Sequence, residues 1–201
     1  MAATLIPAYS PRAQTRHREV IYEVPLLPQQ TAMSCWAAAI AMIVSWSRDE
    51  IVTPRAVARE SNRGDAYLKG LEPLDSELFE QWGMTTIAPQ TFTAEGFMDL
   101  LFRVGPIWVA AHVASPHVRV VTGYQFRELP YDGPVYINDP LEPGMKPFRS
   151  SNRGAAYSES YVKFVEQNEK LGSEELADQS LNSSSLYPVY FAHLKRKPSR
   201  S

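Results

Sequence analysis

The segment around the single cysteine carries the most chemical information in this sequence. Cys35 is the only cysteine, and it begins the apolar run CWAAAIAMIVSW, residues 35–46. An alanine-rich run that is apolar on all sides predicts a helix buried in the core. A helix N-terminus carries partial positive charge and free N–H groups, which favour a thiolate over a thiol. On this segment alone, a free cysteine is more often a small buried hydrophobic residue than a nucleophile, and the other polar residues described below are what favour a nucleophile.

A side-chain amide lies upstream of this cysteine. Gln29 stands six residues before Cys35 in the sequence QQTAMSC. Its N–H could fold back and donate to a tetrahedral oxyanion, together with the backbone N–H of Cys35. Gln30 competes for this role, and the alternative for Gln29 is an exposed amide in a loop.

Four histidines are candidates for the partner of a cysteine nucleophile. His117 stands at the head of the strand-like run HVRVVTGY, where an imidazole can reach across a cleft. From there it could pair with the thiolate and then protonate a leaving amine. His112 is the rival, in the preceding apolar run, whereas His17 lies in a basic N-terminal region and His193 near the C-terminal end.

A third polar group usually orients such an imidazole. Asp139, in YINDP, follows a short predicted strand, and its carboxylate could accept the ring N–H and fix the tautomer. Asn138 is the rival, because an amide oxygen could do the same. Adjacent strand residues face opposite ways, so at most one of the two points at His117. An Asp-Pro pair that only starts a turn is the other interpretation of Asp139.

The elements that must position these residues change type along the chain. N-cap residues predict helices that begin at Thr53, Asp75 and Thr93, the last two ending at Gly83 and Gly105. The second half is rich in β-branched and aromatic residues. We predict one early strand, Val20–Val24, and one further helix, Ser158–Leu171. The strands predicted in the second half are Pro106–Val113, His117–Phe126, Val135–Asn138 and Leu186–Leu194. Pro188 places the start of the last strand at an edge of the sheet. Helices followed by strands predict an α+β fold with the site between the two parts.

The order Gln, Cys-Trp, His, then Asp or Asn resembles that of the papain-like cysteine proteases. The segments VPLLPQQTAMSCWAAA, GPIWVAA, HVRVVTGY and INDP resemble in particular the effector proteases that bacteria deliver into other cells. They are also similar to the double-glycine peptidases that mature bacteriocins, whose third member is Asp, and this favours Asp139. The resemblance covers residues 24–45 and 105–140 well, residues 50–104 only in pattern, and neither the first residues nor the last ~60.

This resemblance implies a papain-like two-lobe α+β fold. A helical N-terminal lobe would carry Cys35 at a helix N-terminus, and an antiparallel β-sheet C-terminal lobe would supply His117 and Asp139. Gln29 would complete the oxyanion hole, and a protein substrate would lie extended in the cleft. The chain lacks the disulfide cysteines and the Asn-Ser-Trp segment of the lysosomal relatives, so their substrate preferences do not carry over.

The composition of the chain limits its domain organisation and the classes of partner and cofactor that we expect. The chain has 201 residues, 44% of them hydrophobic, and a net charge of −2, which suits one domain and does not favour nucleic acid as a partner. We expect a flexible basic arm over residues 1–20, a protease domain over 21–194 and a polar tail over 195–201. No apolar run approaches the ~20 residues of a membrane span, so membrane insertion is not expected. The histidines and the cysteine lack zinc-ligand spacing, and no metal or organic cofactor is expected.

The expected function is that of a cysteine endopeptidase that cleaves a protein of a target cell, rival bacteria included. The N-terminus lacks the apolar centre of a secretory signal, so the chain would be made in the bacterial cytoplasm and exported by a specialised system without signal cleavage. An immunity protein covering the cleft would protect the producer. The alternatives are a glutamine deamidase or transglutaminase using the same thioester chemistry, a catalytically silent interaction module, or a buried cysteine with coincidental motifs.

Overall fold

The computed structural model describes residues 18–70, 76–88, 90–113, 115–127, 133–144, 151–179 and 191–195. Within these residues the chain forms helices and antiparallel strands. In chain order they are β1 Glu19–Ile21, α1 Cys35–Arg48, α2 Pro54–Glu60, α3 Ala66–Lys69, α4 Ser76–Gln81, β2 Met84–Ile87, α5 Ala94–Val104, β3 Ile107–His112, β4 Pro116–Gln125, β5 Pro134–Asp139, β6 Ala155–Ser160, α6 Tyr161–Gln179 and β7 Phe191–Leu194. The α+β class is confirmed, while the division into two lobes stays a prediction.

Local sequence signals set the ends of the first helices. The α1 helix is buried from Trp36 to Ser45 and ends where Asp49 adopts a left-handed conformation, φ 54°. The hydroxyl of Thr53 accepts the N–H of Ala56 at 3.2 Å, so the predicted cap of α2 is confirmed. Thr93 caps α5 in the same way, through the N–H of Gly96 at 3.0 Å. The predicted cap at position 75 lies outside the described residues.

All strand pairs in the sheet are antiparallel, and the strand order is β2-β7-β3-β4-β5-β6. The β1 strand pairs with the end of β4, with Ile21 opposite Gly123. A side chain at Gly123 would place a Cβ only 2.6 Å from the carbonyl oxygen of Val20. Glycine therefore lets β1 lie this close to β4.

Helices cover both faces of the sheet. On one face, α1 packs in a core that includes Trp36, Trp108 and Val120. On the other face, α5 and α6 pack in a core that includes Phe97 and Phe164. Since side chains alternate along a strand, residues of β4 contribute to both cores. The N-terminus of α1 then lies beside the beginning of β4, where the candidate site is found.

Three elements were not predicted, and several predicted boundaries are wrong: β1 ends at Ile21 rather than at Val24, and the last helix is displaced at both ends, since it extends to Gln179 rather than to Leu171. The sequence analysis missed α3, β2 and β6, which are short and only partly buried. Ser158 belongs to β6, because it pairs with Tyr136 in the sheet, so the last helix begins at Tyr161 rather than at Ser158. The described part of β7 lies between β2 and β3, whereas residues 186–190, Pro188 included, lie outside the described residues.

The predicted ends of the chain are described only in part. Residues 1–17 of the predicted arm lie outside the described residues, and Glu19 and Val20 are already in β1. Of the predicted tail, the structure describes Lys195 alone. In the described part of the chain, none of the helices combines the length and apolar character needed to cross a membrane.

Candidate active site

The thiol of Cys35 lies at the first residue of α1 and is only partly buried. The preceding loop is closed by Ser34, whose hydroxyl accepts the backbone N–H groups of Gln30 at 3.1 Å and Thr31 at 3.0 Å. Since the hydroxyl oxygen of Ser34 accepts these two loop N–H groups, its side chain makes no capping hydrogen bond to the first turn of α1. The first-turn N–H groups of α1 thus have no N-cap side chain over them, and they are available to stabilise negative charge at Cys35.

The imidazole of His117 lies between a thiol and a carboxylate. His117 is the second residue of β4, and its side chain is 12% exposed. Its Nε2 lies 2.7 Å from Oδ1 of Asp139, and the ring is close enough to the thiol of Cys35 to lower the pKa of that thiol. With Nε2 committed to the carboxylate, Nδ1 is the ring nitrogen left for the sulfur.

The carboxylate of Asp139 is held from three sides. Its Oδ1 accepts from His117 and from the backbone N–H of Leu141 at 2.8 Å, and its Oδ2 accepts the hydroxyl of Tyr157 at 3.2 Å. Asn138 faces the other side of the strand, where its Nδ2 donates to the carbonyl of Val24 at 2.9 Å. The strand alternation therefore puts Asp139, and not Asn138, at the imidazole.

These contacts shift the ionisation of both reacting groups. Burial raises the pKa of Cys35, but the hydrogen bond and charge of His117 and the N–H groups of Val118 and Trp36 outweigh it, and the net pKa is lowered. Burial lowers the pKa of His117, but the hydrogen bonds to Asp139 and Cys35 and their charges raise it to about 10. Between these two pKa values the pair is a thiolate beside an imidazolium.

The other two histidines in the described part of the chain lie elsewhere in the sheet. His112 is the last residue of β3, opposite Pro116, and His193 lies in β7 with its Nδ1 2.8 Å from the carbonyl oxygen of Leu194. His17 lies outside the described residues. Among the described histidines, His117 is the one that lowers the pKa of Cys35.

A family model of the papain-like cysteine protease AvrRpt2 matches residues 15–153, more than half of the chain. The chain belongs to this family. It is therefore a papain-like cysteine protease of the bacterial effector class, and the resemblance found in the sequence is confirmed. No curated protein matches the chain. The family match includes Cys35, His117 and Asp139 and ends before β6, α6 and β7.

The amide of Gln29 is buried beside the nucleophile loop of the protease. Its Nε2 donates to the carbonyls of Thr31 at 3.0 Å and Ala32 at 3.3 Å. A primary amide has two N–H donors, so both are committed in this state. To donate to an oxyanion, Gln29 must give up one of these carbonyls, and its predicted role stays a prediction. The competing Gln30 is directed elsewhere, because its Oε1 accepts the hydroxyl of Tyr67 at 2.6 Å.

A buried amide that the sequence analysis missed connects the two halves of the site. The Nδ2 of Asn152 donates to the carbonyls of Gln29 at 3.2 Å and Pro140 at 2.7 Å. Its Oδ1 accepts the N–H groups of Glu142 at 3.0 Å and Gly154 at 3.1 Å. Asn152 thus fastens the loop before the nucleophile to the residue that follows Asp139. In the sequence, Ser-Asn-Arg-Gly signals only a turn, and Gln29 and Pro140, whose carbonyls accept from Asn152, lie too far along the chain to be inferred.

Proposed function

We propose that this protease is an endopeptidase in which Cys35 is the nucleophile, His117 its acid and base, and Asp139 the group that orients the imidazole. One observation carries the proposal: Nε2 of His117 lies 2.7 Å from the carboxylate of Asp139, and the same imidazole lowers the pKa of the Cys35 thiol beside it. This geometry supports a thiolate at neutral pH, which is the reactive form of a cysteine.

The two half-reactions follow from the ion pair. The thiolate of Cys35 attacks the carbonyl carbon of a peptide bond, a C–S bond forms, and the carbonyl oxygen becomes an oxyanion. The imidazolium of His117 gives its proton to the amine as the C–N bond breaks. In the second step, neutral His117 takes a proton from water, and the water oxygen forms a bond to the acyl carbon of the thioester. The C–S bond then breaks, the acid product leaves, and Cys35 and His117 are again a thiolate and an imidazolium.

The oxyanion would be bound by the backbone N–H of Cys35 and by the amide of Gln29. Gln29 is buried next to the loop that carries the nucleophile, which supports this role. The side-chain amide of Gln29 now donates to the carbonyls of Thr31 and Ala32. When negative charge develops on the substrate oxygen, one of these N–H groups would donate to that oxygen instead. Donors aimed at an oxyanion contribute mainly in the transition state.

The biological setting is also a proposal, and membership of an effector family supports it. The protease would be exported without a cleaved signal peptide and would cut a protein in the cytoplasm of a target cell, rival bacteria included. The substrate would bind in extended form across the N-terminus of α1 and the start of β4. A cognate immunity protein that covers this cleft would protect the producing cell.

The first experiment compares the wild type with Cys35→Ala on a mixture of unfolded proteins. New peptide N-termini are identified by mass spectrometry, and released ammonia is measured in the same samples. We expect new N-termini with the wild type only. Ammonia release without new N-termini would instead establish a deamidase or transglutaminase, and neither product, with normal folding of the wild type, would contradict the proposal.

A second experiment addresses the setting. Expression of the wild type in a bacterial cytoplasm should arrest growth, while Cys35→Ala should not, if the target is a bacterial protein. Rescue of growth by a protein from the producing strain that binds the wild type and blocks alkylation of Cys35 would support an immunity protein over the cleft. Growth that is equal for both variants would exclude bacterial cytoplasm as the place of action.

A further inference from the structure

A buried arginine lies behind the carboxylate of Asp139. Arg119 is in β4, two residues after His117 and therefore on the same face of the sheet, and it is 1% exposed. Its Nη1 donates to the hydroxyl oxygen of Tyr157 at 3.1 Å and to Oε1 of Glu159 at 2.9 Å. Its Nη2 donates to Oε1 of Gln167 at 2.8 Å.

The chemistry of these groups fixes the direction of the hydrogen bonds. A guanidinium only donates, so the oxygen of Tyr157 accepts from Arg119. The single proton of that hydroxyl is then left for Oδ2 of Asp139, at 3.2 Å. Burial raises the pKa of Tyr157 to about 12, with the charges of Asp139 and Glu159 adding to it and Arg119 opposing it. Tyr157 thus keeps its proton at any pH at which the enzyme works.

The fold holds this arginine at several points. Glu159 and Gln167, on β6 and α6, fix two of its nitrogens, and Glu159 itself is 3.5 Å from the ammonium of Lys163. A buried ion pair contributes little net stability on average, because desolvation offsets the attraction. The stability of the fold alone does not account for a charged pair in this core.

We propose that Tyr157 and Arg119 are positioning residues of the protease. They hold the carboxylate of Asp139 in the plane that faces His117, and through it they sustain the ion pair with Cys35. The inference rests on the roles proposed above for those three residues. Tyr157, Glu159 and Gln167 all lie beyond residue 153, so the C-terminal part of the chain, outside the family match, carries part of the support of the active site.

The test compares Tyr157→Phe with the matched control Tyr136→Phe. Tyr136 is on β5 opposite Ser158, and its side chain leaves the sheet on the other face from that of Tyr157. The readouts are the pH midpoint of Cys35 alkylation by iodoacetamide and the NMR titration of His117, neither of which needs a substrate. Without the hydroxyl, Oδ2 of Asp139 loses this partner and the carboxylate is held through Oδ1 alone, so its support of the imidazolium weakens. The Cys35 midpoint should then rise and the His117 midpoint fall, each by about one pH unit.

The outcomes separate this inference from the proposed function. Identical midpoints in Tyr157→Phe and Tyr136→Phe would overturn the positioning role while leaving the protease intact. A wild-type midpoint at the value of a free thiol would instead overturn the proposed ion pair. A lower melting temperature in Tyr157→Phe, with the Cys35 and His117 midpoints unchanged, would show that Tyr157 has a structural role only. That result would also overturn the inference.

Arg119 is tested together with its counter-ion, so that no buried charge is left alone. The pair Arg119→Met with Glu159→Leu should shift both midpoints in the same direction as Tyr157→Phe. Adding Tyr157→Phe to that pair should change them by less than the sum of the separate shifts, because residues in one network are not additive. Additive shifts would show that Arg119 does not act through Tyr157.

Discussion

The two halves of the active site are built in different ways. The nucleophile half is one continuous segment, residues 29–35, closed by backbone and side-chain hydrogen bonds within itself and ending at a helix N-terminus. The base half joins His117 and Asp139 from two strands to Tyr157 on a third. One half is therefore local in sequence, and the other exists only after the sheet has formed.

This difference separates two tasks. The local half supplies a cysteine with helix N–H groups near it, but burial alone would raise the pKa of that thiol. The non-local half supplies the charge that reverses the effect, through an imidazolium that Asp139 supports. The reactivity of Cys35 thus comes mainly from residues far away in the sequence.

The largest expected effect comes from breaking the link between the two halves. In His117→Ala, burial dominates, so the pH midpoint for alkylation of Cys35 should rise above that of a free thiol, and peptide hydrolysis should fall by about 10²–10⁴-fold.

In the wild type, activity should be present between the lowered pKa of Cys35 and about 10, and lost outside this window as the thiolate gains a proton or the imidazolium loses one.

The matched control is His112→Ala, at the end of β3, which should leave the midpoint unchanged. A shifted midpoint in His112→Ala with an unchanged one in His117→Ala would reverse the assignment of the base. Iodoacetamide labelling followed by mass spectrometry measures both variants without a known substrate.

The next effect should be confined to the local half. Gln29→Ala should lower kcat by about 10²–10³-fold, the usual cost of losing one oxyanion donor. The alkylation midpoint should not move, because Gln29 is not among the groups that shift the pKa of Cys35. Gln30→Ala, whose amide contacts Tyr67 instead, is the control. A stability loss in Gln29→Ala with normal kcat would assign it to holding the loop carbonyls only.

A smaller effect should follow from neutralising the carboxylate. In Asp139→Asn the amide oxygen can still accept the Nε2–H of His117, but the negative charge is gone. The pKa of His117 should fall from about 10 by about one to three units, and the alkaline limit of activity should fall with it. Asn138→Ala should leave that limit in place, since its amide contacts Val24 on the other side. Equal limits in Asp139→Asn and the wild type would contradict the assignment.

The smallest expected effect on chemistry comes from the connection between the halves. Asn152→Ala leaves the buried carbonyls of Gln29 and Pro140 and two N–H groups without this partner, so it should lower the free energy of unfolding by about 1–3 kcal/mol. The alkylation midpoint of the folded fraction should stay near the wild type. Urea unfolding and the labelling assay together check this, and a large midpoint shift without a stability loss would give Asn152 a different role.

The sequence predicted the local half more fully than the non-local half. Thr53 and Thr93 identified helix starts because a cap acts within three residues, and the run after Cys35 identified α1. The histidine was identified by its position at a strand head, and Asp139 was separated from Asn138 only by the resemblance and then by the observed alternation. Tyr157 and Arg119 could not be inferred, because strand register and not spacing along the chain brings them together. Asn152 could not be inferred because the distant carbonyls that it contacts meet it only in the folded chain. The start of α6 was misplaced because Ser158 pairs with a distant strand.

The sheet joins segments that are very far apart, and this has a consequence for the order of folding. Glu19 pairs with Gln125, and Met84 with Leu194, while β3 to β6 follow one another as neighbours. Closing long loops costs more entropy than forming adjacent pairs, so the β3–β6 strands should associate before the N-terminal segment docks. The nucleophile loop arrives with that segment. We therefore expect a nascent or partly refolded chain to keep its histidine and its cysteine apart, and to become active as a protease only when its last long-range contacts form.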